Sequence, residues 1–307
     1  MSEVIGKPQE TTDGGDGDAA RIFLAETRGL IATRVCKAVG FAALAEQDVE
    51  QLLPGKMLRS RLAARLVEGG LPVDLRTLRH FCAATELVHT ASLCHDDVVD
   101  NAILRRARLA LWQSTGPSTA ILIGDLLLCE ALELVMQVEN GLRMGLFVSR
   151  VREVIRTEVA QELLLRGRPM GEGECIQVAR GKTGPLFALV AEVCGGDDRE
   201  LAASLAEAGY RIGTAYQLAD DLLDVVGDEE VAGKTLGTDS VRGKFTLPMS
   251  GRDGGRATRR RVSEMCEAAL GCLDAWREAR RAVAAFLRQD LQPVLDQHVD
   301  VCMGLAE

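Results

Sequence analysis

Two short acidic motifs have the residue types and spacing that suit a hard metal ion. The first runs from Asp96 to Asp100 and the second from Asp220 to Asp224, and both spell D-D-x-x-D. In a helix, residues i and i+4 lie about 40° apart around the axis, so the first and last aspartate project from one face. Such carboxylates repel one another unless a cation such as Mg²⁺ neutralises them. One copy alone could be a solvated acidic helix end, but two copies in apolar surroundings favour a metal site.

Basic residues accompany these motifs. Four lysines follow a glycine and three arginines lie near them or near the first motif; the set is Lys56, Arg59, Arg105, Arg106, Lys182, Lys234 and Lys244. Glycine lets the backbone approach an anion, and lysine or arginine supplies charge and donors to phosphate. A single Gly-Lys pair is usually a surface turn. Several of them, in an acidic protein with metal-type carboxylates, predict a site for two diphosphates.

A histidine lies on the same helical stripe as the first motif. His89, Ser92, Asp96 and Asp100 are three, four and four residues apart, so they share one face of a helix. This spacing predicts that His89 contacts phosphate, although a lone histidine in an apolar helix is often a satisfied core residue. His95 lies off the stripe and is predicted to be structural.

Composition excludes several classes of protein. The chain has 307 residues and a net charge of -9, which argues against a broad nucleic-acid-binding face. Its nine cysteines are scattered singly with no C-x-x-C pair, which indicates a reduced, cytoplasmic protein. No apolar run is long enough to span a membrane, and the acidic start lacks the pattern of a signal peptide.

Helical elements must position these residues. Residues 1–20 are polar and glycine-rich and are predicted to be a flexible tail, whereas residues 21–307 show apolar residues at helical spacing and little strand-like alternation. This pattern predicts one all-α domain of roughly ten helices. The glycine-containing breaks are predicted at 69–70, 116–117, 167–173, 195–196, 227–243 and 251–255.

The motifs together resemble one family. They are G-K-x-x-R at 55–59, H-T-A-S-L-x-H-D-D-V-V-D at 89–100, R-R at 105–106, G-D at 124–125, G-K-T at 181–183, Q-L-A-D-D-L-L-D at 217–224 and G-K-F-T-L-P at 243–248. From Lys56 to Pro248 the chain is similar to the trans-prenyl diphosphate synthases, or polyprenyl synthetases. It departs from their usual pattern at Ala107, where glycine is common, at Met57, where a basic residue is common, and at 250–255, which interrupt a stretch that is usually helical.

The resemblance implies a fold and a ligand set. The fold is a single-domain isoprenoid-synthase-type helical bundle around a central cavity. Three Mg²⁺ ions would be bound with diphosphate by Asp96, Asp100 and Asp220, with Asp224 at the ions directly or through water and Asp97 and Asp221 nearby. The allylic diphosphate would be held by Arg105, Lys182, Thr183, Gln217, Lys234 and Lys244. Isopentenyl diphosphate would be held by Lys56, Arg59, His89 and Arg106.

The resemblance also implies an activity, which is head-to-tail condensation of isopentenyl diphosphate with an allylic diphosphate by a homodimer. Asp96, Asp100, Arg105, Lys182 and Asp220 would carry catalysis. A terpene cyclase is the enzymatic alternative, but its second metal motif usually carries Asn, Ser and Glu. A noncatalytic regulatory subunit is the alternative of another class, but such subunits typically lose an aspartate cluster.

Product length is predicted from Ala91 and Ser92, which precede Asp96 by five and four residues. In a helix they lie about 7.5 and 6 Å below the metal-binding end, beside the expected path of the growing tail. Family members with short products commonly carry bulky aromatic residues there. The small side chains therefore predict a product of at least twenty carbons, with a floor set deeper by Met136 or Phe147. Alternatively, both are small only to let two helices pack closely.

Overall fold

Residues that favour helix dominate the chain, and the computed structural model is mostly helical. It describes residues 16–40, 42, 44–138, 142–227, 235–237, 239, 242–250 and 255–298. The α-helices are α1 (Asp16–Val39), α2 (Glu46–Leu52), α3 (Leu58–Glu68), α4 (Leu75–Val99), α5 (Leu111–Thr115), α6 (Pro117–Met136), α7 (Leu142–Ala160), α8 (Glu172–Cys194), α9 (Arg199–Val226), α10 (Leu247–Ser250), α11 (Arg256–Gly271), α12 (Arg277–Phe286) and α13 (Gln292–His298). π-Helical turns follow α7 (Gln161–Leu165) and α12 (Leu287–Leu291). The predicted all-α class is confirmed.

A short hairpin is the only sheet within these described ranges. Strand β1 (Leu104–Arg105) pairs antiparallel with β2 (Arg108–Leu109), in register Arg105 to Arg108. The hairpin follows α4 directly, so it keeps the arginine pair beside the first aspartate motif.

Helix α3 ends and helix α6 begins at glycine- and proline-containing breaks that the sequence predicts. Helix α3 stops before Gly69, and Gly70 has a φ of 78°, which a residue with a Cβ rarely adopts. Pro117 is the first residue of α6, where its missing amide hydrogen costs nothing.

The predicted N-terminal boundary needs correction. Helix α1 begins at Asp16, so residues 16–20 are helical rather than part of a flexible tail, while residues 1–15 lie outside the described part. Ala20 is buried and lies on the same stripe as the buried Phe23, Thr27 and Ile31. Burial of that stripe extends the helix by one turn beyond the boundary that average composition predicts.

One hydrophobic cluster contains nearly all the buried apolar residues, including the fully buried Phe81, Phe147, Phe187 and Phe286. Helix α4 runs through it and packs against α1, α3, α6 and α8, and α8 packs along most of α9. The two helices that carry the aspartate motifs are therefore both fixed to α8. Among the described helices, none combines the length and hydropathy needed to cross a bilayer.

Candidate active site

The first aspartate motif lies at the C-terminal end of α4. The helix is capped at its start by Asp74, whose carboxylate accepts a hydrogen bond from the Thr77 amide at 2.8 Å. Asp96 and Asp97 lie in the last turn, and Asp100 is the C-cap. Carboxylates at this end face the negative pole of the helix dipole. The motif therefore needs cations close by, and neighbouring segments supply them.

The second motif lies on α9, which crosses α8 at unusually short distance. A Cβ atom on Gly213 would lie 2.7 Å from the Cα atom of Gly184, and one on Gly209 would lie 2.7 Å from the Cα atom of Ala188. Real side chains do not tolerate such contacts with backbone, so the crossing requires glycine on α9. The close approach lets short side chains of α8 reach the acidic face of α9.

A chain of hydrogen bonds leads from α8 into the second motif. Thr183 Oγ1 donates to Gln217 Oε1 at 2.5 Å, and Gln217 Nε2 donates to Asp221 Oδ1 at 2.8 Å. Burial raises the pKa of Asp221, the Asp239 carboxylate raises it further, and the Gln217 amide opposes the shift. Burial thus disfavours the charged form of Asp221, and additional positive charge nearby would stabilise it.

Lys182 lies between the two motifs. Its Nζ is 3.2 Å from Glu158 Oε1 and donates to Gln161 Oε1 at 3.1 Å. Burial disfavours the ammonium form, but carboxylates that include Glu158, Asp96 and Asp221 raise the pKa of Lys182. Lys182 is therefore charged at neutral pH. Asp96 of the first motif and Asp221 of the second both raise this pKa, so each motif has a carboxylate within electrostatic range of the Lys182 side chain.

Arg105 connects the motifs in the same way from the hairpin. Its Nε donates to Asp97 Oδ1 at 3.0 Å. Burial lowers the pKa of Arg105, but Asp97 and, more weakly, Asp220 raise it above its ordinary value. Arg105 thus holds Asp97 of the first motif and lies within electrostatic range of Asp220 of the second.

Two further cations contact Asp100. Lys244 Nζ donates to its Oδ1 at 2.7 Å, and Arg242 Nε lies 3.2 Å from the same atom. Both side chains also contact Glu162, at 3.4 Å for Lys244 and 2.7 Å for Arg242. Glu162 lies in the π-helical turn after α7, so α4, α7 and the segment before α10 meet at this carboxylate pair.

The carboxylates suit a hard divalent cation. Burial raises the pKa of Asp96, and the carboxylates of Glu158 and Asp100 raise it further. Within the described residues, no group of three or more carboxylate, imidazole or thiol side chains is placed to hold a metal ion. Mg²⁺ does not need such a group, because it binds one or two carboxylates and takes its other ligands from water and phosphate. Asp96, Asp100, Asp220 and Asp224, which lie at the C-terminal ends of α4 and α9, remain the predicted ligands.

A second group of cations surrounds His89. Burial and the charges of Arg59, Arg106 and Arg105 hold the pKa of His89 well below its ordinary value, so the imidazole is neutral at pH 7. The Arg59 guanidinium lies 5.1 Å from the centre of the Phe187 ring, and its buried Nε has no hydrogen-bond partner in the described structure. Three guanidinium groups around a neutral imidazole suit a bound anion such as a diphosphate.

Arg106 reaches this group from the hairpin turn. Arg106 and Ala107 have φ of 53° and 59°, in the left-handed region that costs a residue with a Cβ about 1 kcal/mol. The usual glycine at position 107 would relieve that strain. A Cβ on Gly55 would lie 3.0 Å from Arg106 Nη2, so glycine there lets the guanidinium lie against the backbone.

Other predicted residues lie at the margins of these groups. Lys56 is exposed just before α3. Met57, at the position where a basic residue is common in the family, is buried with a φ of 52°, so it packs in the core and adds no charge at the site. Lys234 lies outside the described residues. Asp224 accepts a weak hydrogen bond from the Asp239 amide at 3.4 Å.

Sequence reasoning missed five polar residues that contact the predicted ones: Glu158, Gln161, Glu162, Arg242 and Asp239. Glu158 and Glu162 are four residues apart, with Gln161 between them, so the two carboxylates lie on one face near the end of a helical run. That spacing was the available signal, but it resembles any solvated acidic face.

The Gly124-Asp125 motif has a structural explanation. A Cβ on Gly124 would lie 2.3 Å from His95 Nε2, and that nitrogen lies 3.0 Å from the Ile121 carbonyl oxygen and 3.4 Å from Asp125. Glycine at 124 therefore makes room for His95, which joins α4 to α6.

The residues predicted to set product length differ in how deeply they are buried. Ala91 is 3% exposed, and Ser92 is half-buried and donates to the His89 carbonyl oxygen at 2.8 Å. Met136 is 67% exposed at the end of α6, so it cannot form the floor of an internal channel. Phe147 is fully buried, with its ring 6.4 Å from that of Phe81 on α4. Phe147 remains the candidate floor.

Comparison with known proteins adds sequence relatives. The polyprenyl synthetase family model matches residues 43–278. A geranylgeranyl diphosphate synthase from Methanosarcina mazei is 34% identical over 201 residues, 63% of this chain and 62% of the relative. An all-trans-nonaprenyl-diphosphate synthase from Rhodobacter capsulatus is 32% identical over 198 residues, 64% and 61% of the two chains. The chain thus covers less than two thirds of the length of these relatives.

Solved structures share the fold. A heptaprenyl diphosphate synthase from Staphylococcus aureus has a TM-score of 0.73 at 22% identity, over 88% of this chain and 98% of that one. A geranyltransferase from Helicobacter pylori, complexed with magnesium and isoprenyl diphosphate, has a TM-score of 0.72 at 21% identity, over 94% of this chain and 100% of that one.

Proposed function

The chain belongs to the polyprenyl synthetase family, and we propose that it condenses isopentenyl diphosphate head to tail with an allylic prenyl diphosphate. The observation that carries this proposal is the position of Lys182 on α8, where its half-buried side chain contacts Glu158 and lies within electrostatic range of Asp96 and Asp221, one from each D-D-x-x-D motif. A site in which carboxylates and cations alternate suits a diphosphate bound together with divalent metal. Arg59 and Arg106, which lie within electrostatic range of His89, suit a second diphosphate.

The two substrates are assigned to these two groups. The allylic diphosphate binds the cations near the aspartates, which are Arg105, Lys182 and Lys244, together with Thr183 and Gln217. Lys234, which the resemblance also assigns to this substrate, lies outside the described residues. Isopentenyl diphosphate binds Lys56, Arg59, His89 and Arg106. The double bond of one substrate can then approach the carbon that carries the departing diphosphate of the other.

The reaction breaks a carbon–oxygen bond and forms a carbon–carbon bond. Arg105, Lys182 and Lys244 stabilise negative charge on the diphosphate as it departs from the allylic carbon. The double bond of isopentenyl diphosphate supplies the electrons for the new bond, and the released diphosphate accepts the proton that is then lost. Mg²⁺, when bound as three ions, adds positive charge at the same leaving group. This mechanism needs no protein nucleophile.

We propose a product of twenty carbons or more. The support is that Ala91 and Ser92 are small and lie within two helical turns of Asp96, with Phe147 deeper in the core. The alternative of close helix packing at Ala91 stays open, because a buried alanine fits both interpretations.

A homodimer is proposed from an exposed apolar stripe. Val148, Ile155 and Val159 on α7 and Leu163 in the following turn are seven, four and four residues apart, and their exposures range from 43% to 77%. Monomeric proteins rarely expose contiguous apolar surface of this kind. A second copy of the chain would cover it, as in the dimers expected of the family.

The test is an assay of the purified chain alone with Mg²⁺, isopentenyl diphosphate and allylic primers. Asp96→Ala and Asp220→Ala should each lower turnover at least about a hundredfold, because each removes a carboxylate that could hold the metal. Asp197→Ala, at an exposed position between α8 and α9, is the control that should keep wild-type turnover. Circular dichroism checks folding.

The outcomes separate the alternatives. A noncatalytic subunit would give no product without a partner, and a terpene cyclase would release cyclic hydrocarbon from an allylic diphosphate alone. Wild-type turnover of either aspartate variant, or full activity in excess chelator, would refute metal-dependent condensation.

A further inference from the structure

Arginines hold the backbone turn that precedes α3. Arg28 of α1 donates from Nη1 to the Pro54 carbonyl oxygen at 2.9 Å and from Nη2 to that of Gly55 at 3.3 Å. Arg61 donates from Nε to the Lys56 carbonyl oxygen at 2.9 Å. Three consecutive carbonyl groups therefore accept hydrogen bonds from charged donors on two different helices.

The same turn is held on its other side. Arg106 Nη1 donates to the carbonyl oxygens of Gln51 and Leu53 at 3.2 and 2.7 Å. The Arg106 guanidinium also lies against Gly55, where a Cβ would approach it at 3.0 Å. The position of the turn thus determines where Arg106 lies as well as where the Lys56 side chain begins.

Arg28 and Arg61 differ in their other contacts. Arg61 also donates from Nη1 to Asp290 Oδ1 at 2.9 Å, and Asp290 is a buried carboxylate that Arg65 contacts too. A change at Arg61 would therefore disturb a buried ion network. Arg28 lies on the exposed face of α1, so its removal alters the turn without opening the core.

We propose that Arg28 is a positioning residue for the second diphosphate site, and this inference rests on the proposed function. Its two charge-assisted hydrogen bonds fix Pro54 and Gly55, and through them the Lys56 side chain and the Arg106 guanidinium. Arg28 itself contacts the backbone of the turn and is not among the residues assigned to either substrate. The turn is exposed at Gly55 and Lys56, so it relies on these bonds for a single conformation.

The experiment compares Arg28→Gln, Arg28→Lys and the control Arg21→Gln in the full-length protein. Arg21 lies on the same helix, and it pairs with Asp18 one turn away. Arg28→Gln should raise the KM for isopentenyl diphosphate about tenfold while kcat and the KM for the allylic substrate stay within about twofold. Arg28→Lys, which can hold one carbonyl, should give an intermediate KM, and Arg21→Gln should match the wild type.

Amide hydrogen exchange of residues 52–58 supplies a readout that needs no substrate. Exchange should become faster in Arg28→Gln and stay unchanged in Arg21→Gln. Unchanged exchange, or a wild-type KM for isopentenyl diphosphate in both Arg28 variants, would overturn the inference. If the wild-type protein does not condense the substrates, the proposed function fails, and the exchange measurement alone decides whether Arg28 holds the turn.

Discussion

Replacing Gly213 with alanine would test whether the crossing of α8 and α9 assembles the site. The new Cβ would lie 2.7 Å from Gly184 Cα and 2.8 Å from the Thr183 carbonyl oxygen, which are backbone atoms that cannot rotate away. An ordinary contact needs about 3.4 Å, so the helices must separate by about 0.7 Å. Overpacking of this kind costs about 3 kcal/mol, and the better helix propensity of alanine offsets about 1 kcal/mol. The expected net loss is about 2 kcal/mol of the free energy of unfolding.

The same separation should impair catalysis. The hydrogen bond from Thr183 to Gln217 is 2.5 Å long, and a shift of about 0.7 Å would stretch it to about 3.2 Å, beyond the usual range for hydroxyl donors. Lys182 moves with Thr183, so turnover should fall at least about tenfold.

The assay is urea unfolding at fixed protein concentration together with steady-state turnover. Gly29→Ala is the matched control, because Gly29 lies in α1 and a Cβ atom added to it would have nothing within 4 Å. It should raise the free energy of unfolding by about 0.5 to 1 kcal/mol through helix propensity alone. If Gly213→Ala were as stable and as active as the wild type, the close crossing could not be what positions Lys182 and Thr183.

Lys56→Ala should mainly raise the KM for isopentenyl diphosphate and Lys182→Ala should mainly impair the allylic substrate, so equal effects on both KM values would refute the assignment of the two sites. Phenylalanine at Ala91 or Ser92 should shift products toward fifteen carbons without abolishing condensation; chromatography of the dephosphorylated products checks this, and unchanged lengths in both active variants would show that the tail runs elsewhere. Burial and nearby arginines hold the pKa of His89 low, so this pKa should rise when bound inorganic diphosphate offsets the arginine charges. Proton NMR of the imidazole measures it, and a pKa that diphosphate leaves unchanged would show that no anion binds there.

Local spacing was sufficient to predict the helical class and the two aspartate motifs. Helical periodicity and D-D-x-x-D depend only on residues within a few turns of each other, so the sequence contains that information directly. The neutral state of His89 could not be predicted in this way. It arises because burial disfavours the charged imidazolium and because Arg59 and Arg106, which are distant in sequence, add positive charge within electrostatic range in the folded chain.

Residues that act across helices escaped prediction for the same reason. Arg242 contacts Asp100 and Glu162, which are separated from it by more than seventy residues. Arg28 binds backbone carbonyl groups, and these are present at every position and leave no trace in the side-chain pattern. At Ala107 the sequence did give a signal, because alanine replaces the glycine that is usual in the family. The consequence of that change, a left-handed φ in a residue with a Cβ, became evident only in the structure.

The difference between the two anion sites explains which diphosphate would depart. At the first site, cations such as Lys182 and Lys244 lie among carboxylates, so a divalent metal held by those carboxylates would add positive charge beside a bound diphosphate. At the second proposed site, Arg59 and Arg106 lie within electrostatic range of a neutral His89, and they could hold an anion without metal. Charge that builds up during bond breaking is stabilised most where metal and cations act together. Under the proposed function, the allylic carbon–oxygen bond is therefore the one expected to break, while isopentenyl diphosphate would keep its diphosphate and supply the double bond.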